Sequence, residues 1–191
     1  MKRGIIPVII FVLVLCVLPA KATLVDSNSI IRDGIEYYFQ TDKSVYDLGE
    51  NVEMLYRVTN LRDEEWRVDG FFPIMDITVA AREGEVFNEI WNWSWDKVHP
   101  MGPIVFQLEP GESAEISGVW PQIDLNGSVE IEDHTQVPPG IYRTIGVFYP
   151  THSSIAVDIT IIPEPSTFLL LAVGIVGIRA GCNGILLANF L

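Results

Sequence analysis

Between residues 23 and 162 the sequence supplies three histidines, His99, His134 and His152, and no cysteine. Hydrolytic chemistry needs a nucleophile beside a base, a pair of carboxylates, or a metal cage. The histidines stand in loop-like sequence with no HExxH or comparable spacing. No catalytic residue, metal ligand or cofactor is therefore expected, and the chain reads as a non-enzyme. The nearest approach to a metal site is Asp124-Leu125-Asn126-Gly127-Ser128, whose oxygens alternate as in a calcium loop, with Glu130, Glu132 and Asp133 adding charge. Its sixth position is Val129 instead of the glycine that an EF-hand turn demands. Its twelfth is Thr135 instead of a bidentate glutamate, so the EF-hand reading fails. A solvated acidic loop is the expectation, with an irregular calcium site as the alternative. Asn92-Trp93-Ser94 and Asn126-Gly127-Ser128 match the glycosylation sequon, a match too short to carry weight.

The other chemically distinctive side chains are tryptophans. Trp91 and Trp93 are two residues apart, which in a strand puts both on one face. Burying indoles of ~200 Å² each would cement two sheets, with each N–H needing a partner. The elements that must position them are strands, because period-two alternation recurs and helical periodicity is weak. In residues 52–59, Val52, Met54, Tyr56 and Val58 share one face, against Glu53, Leu55, Arg57 and Thr59 on the other. Ile35, Tyr37 and Phe39 alternate likewise, and Tyr46-Asp47-Leu48-Gly49-Glu50 signals a turn. Further strands are expected at 66–68, 74–80, 86–93, 105–108, 114–120, 141–148 and 155–161, and residues 23–34 read as a flexible lead-in. Pro110-Gly111 and Pro139-Gly140 fit turns in which proline presets φ and glycine takes a positive φ. Short strands at this spacing imply two packed antiparallel sheets in one domain over residues 35–162.

Residues 23–162 hold 24 acidic against 8 basic side chains, a net charge of −16 that exceeds the −13 of the whole chain. Such a surface repels phosphate backbones and anionic lipid, so nucleic acid is excluded as a partner. Cys16 and Cys182 both lie outside this stretch. The domain must hold without a disulfide, and about 140 residues can bury roughly two thirds of their unfolded surface.

The ends of the chain read as addresses. Lys2 and Arg3 precede an uncharged run from Gly4 to Leu18, and Ala20-Lys21-Ala22 places small residues at −3 and −1. This is a secretion signal over residues 1–22 with signal peptidase cleaving after Ala22. Leu15 stands before Cys16 where a lipoprotein signal has Gly, Ala or Ser. At the other end, Pro163-Glu164-Pro165 leads into the apolar residues 168–178 and then Arg179. This order resembles the PEP-CTERM sorting signal of bacteria that export proteins through an exosortase. The resemblance implies that residues 163–191 form a sorting motif, Pro163, Glu164 and Pro165, followed by a hydrophobic helix held transiently in the inner membrane. Eleven helical residues reach only about 16 Å against a hydrocarbon core near 30 Å. Either the helix continues past Arg179 to Leu191, or the sequence after the span is altered.

A second resemblance lies in the ordered series Asn60, Phe71-Phe72-Pro73-Ile74-Met75-Asp76, Ile90-Trp91-Asn92-Trp93-Ser94, Leu108-Glu109-Pro110-Gly111-Glu112, Trp120 and Val137-Pro138-Pro139-Gly140-Ile141-Tyr142. It is similar to the BsuPI-type proteinase inhibitors across roughly residues 35–148. That implies an immunoglobulin-like antiparallel β-sandwich in which Trp91, Trp93, Ser94, Pro110, Gly111, Trp120, Pro139, Gly140 and Tyr142 are structural. Two functions follow as expectations. One is a non-enzymatic module at the cell surface or in the extracellular matrix, meeting an extracellular polysaccharide. The other is an inhibitor of subtilisin-like proteases, presenting residues 96–103 or 124–139.

Overall fold

Asp33 and Gly34 close the first hairpin with positive φ angles of 51° and 75°. Two successive positive φ values make a type I′ turn, whose twist matches that of paired strands. The computed structural model describes residues 25–98, 100–125 and 135–164. The hairpin joins β1 (Asp26–Arg32) to β2 (Ile35–Thr41), with Arg32 opposite Ile35. The flexible lead-in expected at 23–34 is thereby corrected. Residues 26–32 are exposed on nearly every side and so lack the alternation that marks a half-buried strand, but the Asp-Gly turn and backbone pairing order them.

The remaining strands are β3 (Val45–Asp47), β4 (Val52–Asn60), β5 (Trp66–Phe71), β6 (Met75–Glu83), β7 (Val86–Asn92), β8 (Pro103–Leu108), β9 (Ser113–Trp120), β10 (Ile123–Asp124), β11 (Thr135–Gln136), β12 (Gly140–Phe148) and β13 (Ser153–Ile162). The described chain is all-β. Nine of these strands stand where the alternation predicts them, give or take a few residues. One sheet runs β1-β2-β4-β9 and a second runs β3-β13-β12-β6-β7. Two short ladders, β5-β8 and β10-β11, complete the set.

All pairings are antiparallel except β13 with β3, which is parallel. The expected purely antiparallel arrangement is corrected there. The chain leaves the first sheet after Thr41 and enters the second alongside its last strand, where Thr160 N–H donates to Ser44 O and Leu48 N–H to Ile162 O, both at 2.9 Å. Tyr46 is fully buried at this crossing, and its hydroxyl donates to Asp42 Oδ1 at 2.7 Å.

The two larger sheets enclose one core. Val52, Met54, Tyr56 and Val58 are all buried on the predicted face, as are Ile35, Tyr37 and Phe39. Rings meet across the layers: Tyr37 of β2 lies 6.0 Å from Phe148 of β12, and Trp120 of β9 lies 5.3 Å from Tyr142 of β12. Gly146 of β12 sits directly beneath the Tyr56 ring of β4. Trp66 on β5 joins Phe106 and Phe148 at 5.9 and 5.3 Å, so the small β5-β8 ladder closes one end of the same core. The N-terminal signal with Ala22, the expected C-terminal helix, Pro165 and the greater part of the acidic stretch lie outside the described residues. Among the described residues no helix is long and apolar enough to cross a membrane.

Candidate functional site

The tryptophan-bearing turn after β7 is built around a buried carboxylate. Asp76, on β6, is fully enclosed. Its Oδ1 accepts the Ile77 N–H at 2.9 Å and its Oδ2 lies 2.7 Å from Ser94 Oγ. Ser94 Oγ is also 2.8 Å from Asn92 Oδ1, which accepts the Ser94 N–H at 2.8 Å. One hydroxyl proton cannot serve two acceptors. Ser94 Oγ therefore donates to Asp76 Oδ2 or to Asn92 Oδ1, and not to both at once. Burial pushes the Asp76 carboxyl above its ordinary range, and the hydrogen bonds it accepts from Ser94, Ile77 and Asn92 oppose that rise. Glu89 and Tyr149 are also raised, in each case chiefly by burial.

Asn92-Trp93-Ser94 is therefore a turn motif and not a modification site. Asn92 and Ser94 are both buried, and the Asn92 side chain caps the backbone two residues on. Trp93 N–H donates to Ile77 O at 2.8 Å and Lys97 N–H to Ser94 O at 3.1 Å, which fixes the course of residues 93–97.

Trp91 and Trp93 do share one side, since both approach Gly118 on β9. A Cβ there would come within 3.2 Å of Trp93 Cδ1 and 3.3 Å of Trp91 Cη2. Both pack against the core, yet both remain partly exposed, as does Trp95. They bridge the two sheets along the open side, β7 being an edge strand of one sheet and β9 of the other, so each indole keeps part of its surface exposed. The tryptophans enclosed in the core are Trp66 and Trp120, and Trp120 Nε1 donates to Ile123 O at 2.9 Å. Trp91, Trp93, Trp95, Lys97, Ser117 and Gly118 contribute to a cleft of about 550 Å³. Lys97 Nζ stands 5.1 Å from the Trp93 ring centre and 2.8 Å from Asp96 Oδ1.

The other motif residues hold turns. Gly111 has a φ of +78°, as the Pro110-Gly111 reading requires, and its N–H donates to Asn60 O at 2.8 Å. Asn60 is buried, and its Nδ2 donates to Leu108 O at 3.0 Å and Glu64 O at 2.9 Å. Gly140 departs from expectation. It opens β12 opposite Ile161 with no positive φ, so Pro139-Gly140 is a strand entry. Tyr142 Oη donates to Pro138 O at 2.5 Å, tying that entry back on itself.

Sequence reasoning missed Asp76, Asn92 and Ser94 as one network. The Asn-x-Ser triplet was its only local signal, and the partner carboxylate lies 18 residues away. Among the described residues no group of three or more His, Cys, Asp or Glu could hold a metal ion. Asp124 pairs with Thr135 through β10 and β11, while residues 126–134 and His99 are outside the described set. His152 adopts a φ of +51° after a 3-10 turn at Tyr149–Thr151, apart from the tryptophan cleft.

Among solved structures the chain is similar to a β-glucosidase from Listeria innocua, at 10% identity and a TM-score of 0.39, covering 74% of this chain and 16% of that one. A β-glucosidase from Erythrobacter marinus gives 12% and 0.41, covering 73% and 16%. The alkylpurine DNA glycosylase AlkC from Pseudomonas fluorescens gives 9% and 0.39, covering 72% and 30%. The chain thus spans about a sixth of the length of the glucosidases it resembles, and none of these likenesses is strong enough to transfer a fold or an activity. No curated protein matches the chain. No family model supports the BsuPI-type resemblance.

One match is specific. Residues 162–182 fit the model of the PEP-CTERM protein-sorting motif. The structure places its first residues where the domain stops: β13 ends at Ile162, and Pro163, which has no N–H to donate, terminates the ladder. Glu164 follows, exposed to solvent. The chain carries a PEP-CTERM motif, which implies an exported protein that passes through a membrane-anchored stage and is recognised by an exosortase.

Proposed function

We propose that the domain is a non-catalytic module of the cell surface or extracellular matrix, built as an immunoglobulin-like β-sandwich and released from its membrane stage by exosortase processing. The observation that carries this reading is the junction at Ile162–Pro163. A sorting motif joined to the last strand without a linker makes the folded domain the cargo. The Tyr142 bond to Pro138, four residues upstream, supports the sandwich reading, because immunoglobulin-like domains use a tyrosine in this way at a strand entry. The buried Asp76–Ser94 pair supports a structural and not a nucleophilic role, since Ser94 is shielded from any substrate.

The test is fractionation of a host that possesses an exosortase, with mass spectrometry of both termini of the recovered protein. A start at Thr23 and an end near Pro163 to Pro165, in the surface or medium fraction, is the expected result. Recovery of the intact precursor from the cytosol refutes it.

Inhibition of a subtilisin-like protease is a second reading, favoured by one feature. Val98 and Met101, in the connection between β7 and β8, are exposed to 93% and 104%. Apolar side chains held out to solvent suit insertion into a protease pocket. Slow stoichiometric inhibition by the purified protein supports this reading, and none at micromolar excess disposes of it.

A further inference from the structure

We infer that the cleft between β7 and β9 binds a neutral carbohydrate, with pyranose rings stacked on Trp91, Trp93 and Trp95. Three indoles within five residues are partly buried and partly exposed at one edge of the fold. Core packing accounts for one side of Trp91 and Trp93 and does not involve Trp95. The remaining surface is flat and apolar, of the kind that marks a binding site. Gly118 permits this flatness, because any side chain there would push the indoles off the β9 backbone. The Asp76–Ser94–Asn92 network holds the turn that carries all three rings, so little side-chain freedom remains to be lost on binding. The volume, about 550 Å³, lies within the roughly 300–1,000 Å³ of small-molecule sites.

Charge selects the ligand. An aromatic cleft can take a cation over its rings, but Lys97 already occupies the Trp93 face and is paired with Asp96. A ligand cation would have to displace that internal one. Anionic polymers meet a domain of net charge −16. A neutral sugar meets no charge repulsion and has only the Lys97 side chain to move aside at Trp93, while no cation stands over Trp91 or Trp95 among the described residues. The C–H hydrogens on one face of a pyranose are partially positive and match the negative face of an indole. Hydroxyl groups then find polar side chains in the lining, Ser117 among them.

The inference rests on surface delivery only for where the ligand is met. A cytosolic location would sink that delivery without touching the binding measurement, and an empty titration would leave delivery standing. The test titrates the full chain in mild detergent with cellohexaose, laminarihexaose, maltohexaose and mannohexaose, following indole fluorescence and heat. Choline, polygalacturonate and decaproline serve as comparators. At least one neutral hexasaccharide is expected to bind saturably below about 1 mM. Trp95→Ala should weaken that binding by about tenfold or more without moving the melting curve, because Trp95 lies outside the core cluster. Trp93→Ala should weaken it as well. No binding by the four sugars, tighter binding of any comparator, or unchanged affinity in Trp95→Ala overturns the inference.

Discussion

Gly146→Ala tests whether the two sheets pack as described. Gly146 lies on β12 and faces Tyr56 of β4, so the contact exists only if the layers are apposed. A Cβ built on Gly146 falls 2.4 Å from Tyr56 Cδ2, 2.7 Å from Cγ and 2.8 Å from Cε2. Those are the near atoms of a rigid ring, and Tyr56 is fully enclosed, with Phe39 at 6.3 Å. The ring cannot swing clear and must move bodily. Overpacking of this kind costs about 1–3 kcal/mol, and contacts this short place the change at the upper end. Against that, replacing glycine by alanine stabilises by about 0.4–1 kcal/mol through the unfolded chain. A net loss of about 2 kcal/mol remains, and at about 4 °C per kcal/mol for a domain of this size the melting temperature should fall by roughly 8 °C. Thermal denaturation followed by circular dichroism measures it. In a Tyr56→Leu background the same change should cost less than about 0.5 kcal/mol, and in a Tyr56→Phe background it should keep its full cost. A Gly146→Ala protein as stable as the parent, or an equal penalty beside Leu at position 56, refutes the face-to-face packing.

Tyr56 Oη is buried without a hydrogen-bond partner among the described residues, so Tyr56→Phe should raise stability by about 1 kcal/mol in urea denaturation. Asp76 has a folded-state pKa raised above its unfolded value. The stability it contributes is complete below the ordinary carboxylate range near pH 4 and is lost as pH rises through the raised value. Asp76→Asn keeps an oxygen for Ser94 to donate to and removes the titration, so its stability relative to the parent should grow from pH 4 to pH 7 in paired melting curves. A constant difference would show that Asp76 does not titrate as described. Asn60→Ala strands Leu108 O, Glu64 O and the Arg62 N–H, which should cost about 2–4 kcal/mol by chemical denaturation. Glu164→Ala alters the sorting motif without touching β13, and the protein should accumulate in the membrane fraction on cell fractionation.

Strand content was legible because a strand with one face on a core must alternate. Val52, Met54, Tyr56 and Val58 announce β4, and their burial matches the alternation residue for residue. β1 was hidden for the converse reason: exposed on nearly every side, it has no alternation, and only Asp33-Gly34 marked it. The three residues of β3 are too few to show a period, and their parallel pairing depends on a strand more than a hundred residues later. The Pro139-Gly140 reading failed because proline and glycine together fit a turn or a strand entry, and pairing with Ile161 selects the latter.

The sequence by itself determined export, the sorting motif, the acidic balance and the all-β character, since each is carried by neighbours along the chain or by composition alone. Tertiary structure decided which tryptophans are core and which line a cleft, because Trp91 and Trp93 alternate just as core residues do. Their exposure follows from β7 and β9 being edge strands. It likewise decided that Asp76 meets Ser94, since a carboxylate finds its partner across a sheet through strand register, and register involves residues far apart in the chain.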